Sequence, residues 1–436
     1  MLDKIKNIKV PKLPSLPSSG KSVPRFKNER YIVSLDVGTE YVKALIAKVN
    51  GNQAEIIGVG RARQGLGDMH AGAVADIASV VTNCDAALAQ AEEQAGLSAR
   101  TVVIGIAGEL VKGTTTTVRY RRNDPSKELT LEEVTRIVTK VQDRAEKKAR
   151  ASLAWELGGK EVDIKLVNSA LVSIEIDTVK VTNPVGFQGR DVVVQLYTAF
   201  APLVNIGALE RTAQELDLDL LAVAAEPFAV ARAVIGDDTG SNTSAIIMDV
   251  GGGTTDIAVI NDGGVQGTKM YGIGGRAYTR AIERDLGVEY EKAEDLKMGL
   301  TTHDTTGEEG KEVRESLMKT LGVWTHGVEL ALSEFDQLDS LPNRVLLCGG
   351  GSSLAMIPAR LAKTTWWKDL PFTKQPTIQH IQPSQVVGII DKTGALEDHT
   401  FITAMGLVRV GIDTLQQNNS SDDGSIRAKI DRMLKV

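Results

Sequence analysis

The sequence predicts an α/β protein made of two related halves, and three observations carry that prediction. Strand-like runs, glycine turns and helical stripes alternate along most of the 436 residues. One turn occurs twice, Leu35-Asp36-Val37-Gly38-Thr39 returning as Met248-Asp249-Val250-Gly251, each time between two apolar strands. The segment AIIMDVGGGTTDIAVI, residues 245 to 260, sets three consecutive glycines between an aspartate and two threonines. A hydrophobic content of 42% provides for a large core, and the length suggests two to four domains.

In chain order, Pro11, Pro14, Pro17 and Pro24 among Ser, Lys and Gly make residues 10 to 24 an extended linker. YIVSLDVG and YVKALIAKV then read as a hairpin from Tyr31. Val74, Ile77, Val80, Val81 and Leu88 keep helical spacing over 73 to 95, and TVVIGIAG (101 to 108) is a buried strand. Thr130 with Glu133 is a capping box opening a helix towards Trp155. IKLVNSALVSIEI and RDVVVQLYTAF are strands on either side of the turn NPVGFQG, and a helix follows over about 203 to 216. Strands, turns and helices alternate again from 245 to Ile412, after which TLQQNNSSDDGS reads as a polar tether.

The net charge of −6 is unevenly spread. Residues 1 to 27 hold Lys4, Lys6, Lys9, Lys12, Lys21, Arg25 and Lys27 against Asp3, and residues 425 to 436 hold four cations against Asp431. Those stretches carry +6 and +3, which leaves −15 on the body. An acidic body with basic flanks disfavours nucleic acid and suits an anionic surface. Cys84, Cys348 and five scattered histidines form no zinc pattern, and sparse cysteine fits a reducing, cytosolic setting. With no signal-peptide core or spanning run, any membrane contact is expected to be peripheral.

A phosphate chain needs backbone N–H groups converging on its oxygens without side chains in the way. Gly251, Gly252 and Gly253 meet that need, Thr254 and Thr255 add hydroxyls, and Gly38 with Thr39 offers a second such turn. Asp36 and Asp249, each at a strand end, can hold magnesium through water. ATP with Mg2+ is the expected ligand. Neither a P-loop nor a first-strand G-x-G-x-x-G is present. Gly349, Gly350 and Gly351 follow a buried strand and can lie against a flat adenine or ribose. Glu226 stands where an apolar strand meets a helix. It serves either to orient a water at the γ-phosphate or only to favour the helix dipole.

LDVGTEYVKALI, AAEPFAVARAVI, IIMDVGGGTTDIAVI, VLLCGGGSSLAMIP and TAMGLVRVG resemble, in that order, the stations of the actin-like ATPase superfamily. These are the first phosphate loop, a connecting helix, the second phosphate loop, the adenosine loop with Ser352, and a second connecting helix. The stretch from Ala71 to Gly108, the NPVG turn, and GIGGRAYTRAIERDLGV with KAEDLKMGL are similar to the bacterial cell-division family FtsA. The likeness covers roughly residues 31 to 412.

The resemblance implies an actin-like (ribonuclease-H-like) two-domain ATPase fold with an inserted small α+β (SHS2-type) subdomain. The implied divisions are a basic extension at 1–29, domain I at 30–100 and 201–240, and the insertion at 101–200. Domain II follows at 241–412 with a smaller subdomain about 276–340, then a tether at 413–424 and a membrane helix at 425–436. It also implies nucleotide contacts from Gly274, Gly275, Glu294 and Lys297, and places Glu226 and Asp256 where water is positioned. Hydrolysis is expected to be slow at most. The implied role is a polymer at the cytoplasmic membrane of the division site, which tethers the FtsZ ring by that protein's C-terminal peptide and is open to later division proteins.

The final stretch bears on the membrane expectation separately. Ile426, Ile430, Met433 and Leu434 form one apolar stripe, with Arg427, Lys429, Arg432 and Lys435 off it. Such a helix folds on an anionic bilayer, each basic residue adding on the order of 1 kcal/mol, or else frays on the protein itself. It lacks the tryptophans often found in the family, and the basic extension is not part of the family pattern. Met1, Leu2, Ile5 and Ile8 among lysines suggest a second foot, the alternative being a solvated arm. Other functions on the same fold are a type IV pilus scaffold or a small-molecule kinase, for which no substrate base is identifiable.

Overall fold

The computed structural model describes residues 30–235, 242–302 and 307–419. The basic extension and the stretch 425–436 lie outside the described residues.

The first sheet takes β1 (Arg30–Val37), β2 (Tyr41–Asn50), β3 (Gln53–Arg63), β6 (Thr101–Ile106), β11 (Asp219–Ala225) and β17 (Ile389–Asp391). A small hairpin of β4 (Met69–His70) and β5 (Ala73–Val74) leads into helix α1 (Ile77–Ala95). Strand order is β11-β6-β1-β2-β3-β17, with β1 to β3 antiparallel and β6 and β11 parallel to β1. The second lobe repeats this plan with β12 (Ala245–Val250), β13 (Thr255–Asn261), β14 (Gly264–Tyr271), β15 (Arg344–Cys348) and β16 (Thr377–His380), in the order β16-β15-β12-β13-β14. The repeated turn is therefore a repeated architecture: each copy joins the first two strands of an antiparallel meander. β1 and β12 are each flanked on the other side by parallel strands and are buried on both faces over most of their length, as a central strand must be.

The inserted layer consists of β7 (Lys112–Arg121), α2 (Leu131–Glu156), β8 (Ile164–Ile176), β9 (Val179–Val181) and β10 (Asp191–Pro202). α3 (Leu203–Glu215) and α4 (Glu226–Ile235) return the chain through β11. The layer joins the second lobe edge to edge where Gly267 and Thr268 of β14 pair with Thr114 and Gly113 of β7. A side chain at position 113 would bring its Cβ 1.9 Å from Thr268 Oγ1, so the seam requires glycine there. The sequence reading opened this layer at residue 101. β6 instead pairs in parallel with both β1 and β11, so residues 101–106 belong to the first sheet and the layer opens at Lys112.

Helix starts follow local chemistry. Asp76 caps α1 by accepting from the amides of Ala78 and Ser79, which sets the start at Ile77 rather than residue 73. Thr130 Oγ1 accepts from the Glu133 amide at 3.2 Å, but Glu133 does not reach back. Its carboxylate instead takes Arg122 Nε at 3.0 Å, so only half of the capping box forms.

The second lobe is completed by α5 (Gly275–Leu286), α6 (Tyr290–Thr302), α7 (Glu308–Ser333), α8 (Met356–Lys363) and α9 (Ile402–Asn419). α4 and α9 cross between the two sheets so closely that a Cβ on Gly406 would lie 2.5 Å from the Ala229 carbonyl. α9 continues through 413–419, where a tether was expected. Asp413 explains part of this, since it accepts from Arg409 one turn earlier and from Arg232 of α4. Among the described residues no helix is long and apolar enough to cross a membrane.

Candidate functional site

The two repeated turns face each other. An added Cβ on Gly253 would come 2.5 Å from Thr39 Oγ1, and one on Gly252 would come 2.8 Å from Glu40 Cβ. The close approach of the lobes here is thus one that only glycine permits. Between the turns lies a cleft of about 440 Å³, within the range of small-molecule sites. Asp36, Gly38, Thr39, Gly251, Gly252, Gly253 and Thr254 line it, with Glu226, Asp249 and Asp256 at its floor.

The floor concentrates negative charge out of water. Burial, reinforced by Asp36 and Asp256, pushes the Glu226 carboxyl well above its ordinary value. Burial and the neighbouring Asp249 do the same to Asp256, whose Oδ1 has no hydrogen-bond partner. Asp249 is raised less far. Burial lifts it, while the Thr403 hydroxyl donating to Oδ2 and the charge of Lys43 oppose the rise. Lys43 is the buried cation of the floor, its Nζ 2.8 Å from Asp36 Oδ2. Burial works against its charge, but Asp36 outweighs that effect and holds the ammonium above its ordinary value.

A third side of the cleft comes from Gly349, Gly350, Gly351, Ser353 and Leu354. Gly349 has φ +79°, and a Cβ there would lie 2.0 Å from Asp249 Oδ1. Two histidines brace this turn. His399 Nε2 lies 3.0 Å from Ser353 Oγ, His380 Nε2 lies 3.1 Å from the Ser352 carbonyl, and the rings stack at 4.0 Å.

On the second lobe, the amides of Gly275 and Arg276 donate to the carbonyls of Gly251 and Gly252, fastening α5 beneath the second turn. Glu294 and Lys297 of α6 also line the cleft. Lys297 Nζ donates to Glu294 Oε2 at 2.7 Å and Thr279 Oγ1 at 2.9 Å, so both side chains are held in one orientation.

Three of the sequence-derived site residues point elsewhere. Thr255 Oγ1 donates to the Ile273 carbonyl and accepts from Trp324 Nε1, because strand alternation turns it away from Thr254 and the cleft. Ser352 is buried and donates to the Gly349 carbonyl, leaving Ser353 as the serine of the cleft wall. Gly274 packs behind the second turn, its added Cβ 2.6 Å from the Gly251 carbonyl.

Sequence reasoning missed Lys43, although a lysine inside the apolar strand YVKALIAKV was a visible signal. It also missed Thr403 and the stacked histidines, which reach the site only through the tertiary fold. The rim pairs were missed for the same reason: Glu40 accepts from Arg276 Nε at 2.7 Å and Arg63 Nε at 2.9 Å.

The chain is similar to known proteins in sequence and in fold. The family model described as cell division protein FtsA matches residues 246–406. Cell division protein FtsA of Streptococcus pneumoniae is 26% identical over 346 residues, covering 75% of this chain and 72% of that one. The Neisseria meningitidis protein is 27% identical over 64% of each chain, so the match spans a little less than two thirds of that relative's length. A solved PilM-PilN type IV pilus biogenesis complex superposes with a TM-score of 0.63 at 16% identity, over 87% of this chain and 98% of that one, a likeness of fold alone. The chain has an actin-like fold, and its sequence is similar to the FtsA family of cell division proteins.

Proposed function

We propose that the cleft binds ATP with magnesium, and that the nucleotide controls assembly of this protein at a membrane rather than driving chemistry on a substrate. The observation that carries this reading is the pairing of two glycine turns across a carboxylate floor, with a third glycine turn at the side. The two turns suit the phosphates, Gly349 to Gly351 with Ser353 suit the adenosine, and Glu294 and Lys297 suit the ribose.

The floor suits a hard divalent cation. Its donors are carboxylates, and Asp256 Oδ1 is a buried acceptor lacking a partner. No group of three or more His, Cys, Asp or Glu among the described residues forms a complete metal shell, so phosphate oxygens and water would supply most ligands. Asp36 and Asp249 would hold the ion through water, and when bound it would neutralise the phosphates. Glu226 and Asp256 are the groups placed to orient a water. Their preference for the protonated state leaves less carboxylate free to accept a proton, which accords with slow turnover.

At the level of the cell, the reading is tethering of the FtsZ ring. The FtsZ C-terminal peptide would dock on the helical subdomain α5 to α7, copies would associate into filaments, and the stretch 425–436 would bind anionic lipid. Later division proteins would be recruited to this assembly. Similarity to the FtsA family supports the role, and the apolar stripe among cations supports the anchor. Co-sedimentation of the full chain with anionic liposomes, with and without ATP and an FtsZ tail peptide, tests the reading. Rapid phosphoryl transfer to a metabolite in a coupled assay would overturn it in favour of a kinase.

A further inference from the structure

Among the described residues, five cationic side chains line the cleft: Lys43, Arg61, Arg63, Arg276 and Lys297. Four of them are neutralised within the protein. Lys43 is paired with Asp36, Arg63 and Arg276 with Glu40, and Lys297 with Glu294. Arg61 is exposed and makes no ion pair with any described residue, although the chain outside its two basic flanks carries −15. Asp398 lies near enough to feel the charge of Arg61, but its Oδ1 is committed to capping. It accepts from the Thr400 amide at 2.8 Å and the Thr400 hydroxyl at 2.6 Å.

Strand register puts Arg61 in this position. Across the antiparallel pair of β2 and β3, Lys43 faces Arg61 and Tyr41 faces Arg63, so all four side chains stand on one face of the sheet. The opposite face belongs to α1, where a Cβ on Gly60 would lie 1.8 Å from the Ala87 carbonyl. Like charges directly opposite each other in a ladder repel, and Arg61 does oppose the charge of Lys43. Asp36 answers only one of the two. The guanidinium of Arg61 instead lies 3.5 Å from the centre of the Tyr41 ring, a stack that fixes its plane without consuming its N–H donors. A planar guanidinium with its donors free matches the paired oxygens of a phosphate.

We infer that Arg61 is an anion-binding residue of the cleft, its guanidinium held flat on Tyr41 beside Lys43 and left unpaired to receive a phosphate group of the bound nucleotide. Tyr41 is its positioning residue. The inference rests on the nucleotide reading proposed above and adds to it a charged contact that neither glycine turn supplies. Repulsion between Lys43 and Arg61 stands in the empty cleft and is relieved when an anion enters. Removing the guanidinium therefore acts in opposite directions on the empty and the filled protein.

Affinity of the full chain for magnesium-ATP, measured beside melting of the nucleotide-free protein, tests this in the parent, Arg61→Gln, Arg61→Lys, Tyr41→Phe and Tyr41→Leu. Arg61→Gln should bind ATP roughly 10- to 100-fold more weakly, as expected for loss of a hydrogen bond between charged groups, yet melt at or above the parental temperature when empty. Arg61→Lys should recover part of the affinity and Tyr41→Phe nearly all of it. Tyr41→Leu should lose affinity and show little further loss when combined with Arg61→Gln. The gap between the parent and Arg61→Gln should also narrow as salt is raised, because Arg61 is exposed to solvent. If Arg61→Gln binds ATP as the parent does, the inference is overturned and the nucleotide reading stands. A loss of affinity accompanied by a lower melting temperature of the empty protein also overturns it, since the role is then structural. Failure of the folded parent to bind ATP overturns the nucleotide reading, and the inference with it.

Discussion

Arg276 Nε donates to Glu40 Oε2 at 2.7 Å, joining the turn after β1 in the first lobe to the start of α5 in the second. The pair is largely out of water, the side chains being 11% and 19% exposed. Glu40 also holds Arg63, and the Arg276 amide donates to the Gly252 carbonyl. Opening the cleft must therefore break a desolvated ion pair anchored to both glycine turns. Such a pair resists separation far more than an exposed one does.

Glu40→Gln and Arg276→Gln should each speed release of a fluorescent ATP analogue by about tenfold, the rate equivalent of ~1.4 kcal/mol. The double variant should release no faster than either single one, since both remove the same contact. Arg63→Gln should have less effect, because its link to Glu291 is mostly exposed. Stopped-flow chase experiments measure these rates, and additive effects would show that the residues act on the nucleotide separately.

Much of this site was legible in the sequence because glycine turns between apolar strands are local signals. Asp36, Gly38 and Gly251 to Gly253 were found that way, and the repeated turn anticipated the repeated sheet. What was not legible depends on contacts between distant segments. Thr403 bonds Asp249 across 154 positions, and Glu40 meets Arg276 across 236. Thr255 was misread because two adjacent threonines look alike in sequence, whereas a strand sends them to opposite faces. The helical continuation to Asn419 was hidden because TLQQNN is polar, and its hold on the body comes from Arg232 and Asn52, which are far away in the chain.

Asp249→Ala removes a floor carboxylate and leaves the Thr403 hydroxyl without its acceptor. Magnesium-ATP affinity should fall about 10–100-fold, while affinity for ATP in excess chelator should change much less. Titration calorimetry with and without magnesium separates the two. Equal affinity of the variant and the parent for magnesium-ATP would remove Asp249 from the site.

Gly253→Ala places a methyl group 2.5 Å from Thr39 Oγ1, so the two turns can close only if one gives way. The expected variant folds with near-parental melting, because the lobes can part slightly, but binds nucleotide at least ~10-fold more weakly. Gly349→Ala should be worse on both counts. Its φ of +79° strains any side chain, and its Cβ meets both Asp249 Oδ1 and the Val250 carbonyl. Thermal melting alongside equilibrium binding distinguishes the two outcomes.

The floor carboxyls also set a pH dependence whose sign follows from their protonation. Glu226 and Asp256 are held well above their ordinary values of 4.5 and 3.8 by burial and neighbouring charge. Below those ordinary values the folded and unfolded chains both bind the protons, and the contribution to stability is fully present. As pH rises further the unfolded chain releases them first, so stability is lost progressively until the folded groups also ionise. The nucleotide-free protein should therefore melt lower at pH 8 than at pH 6. Asp177, lowered by the amides of Asp191 and Arg190, acts only below its ordinary value of 3.8, whereas His399, lowered to about 4 by burial and by His380, opposes the trend by adding stability as pH rises through 6.5, so the comparison is made in a His399→Gln background. Replacing Glu226 by Gln and Asp256 by Asn should flatten the dependence and raise stability at pH 8 by about 1 kcal/mol or more, because a buried, poorly partnered charge is removed. The same replacements should abolish residual hydrolysis. A double variant that is as pH-sensitive as the parent in calorimetric melts would show that the dependence arises elsewhere.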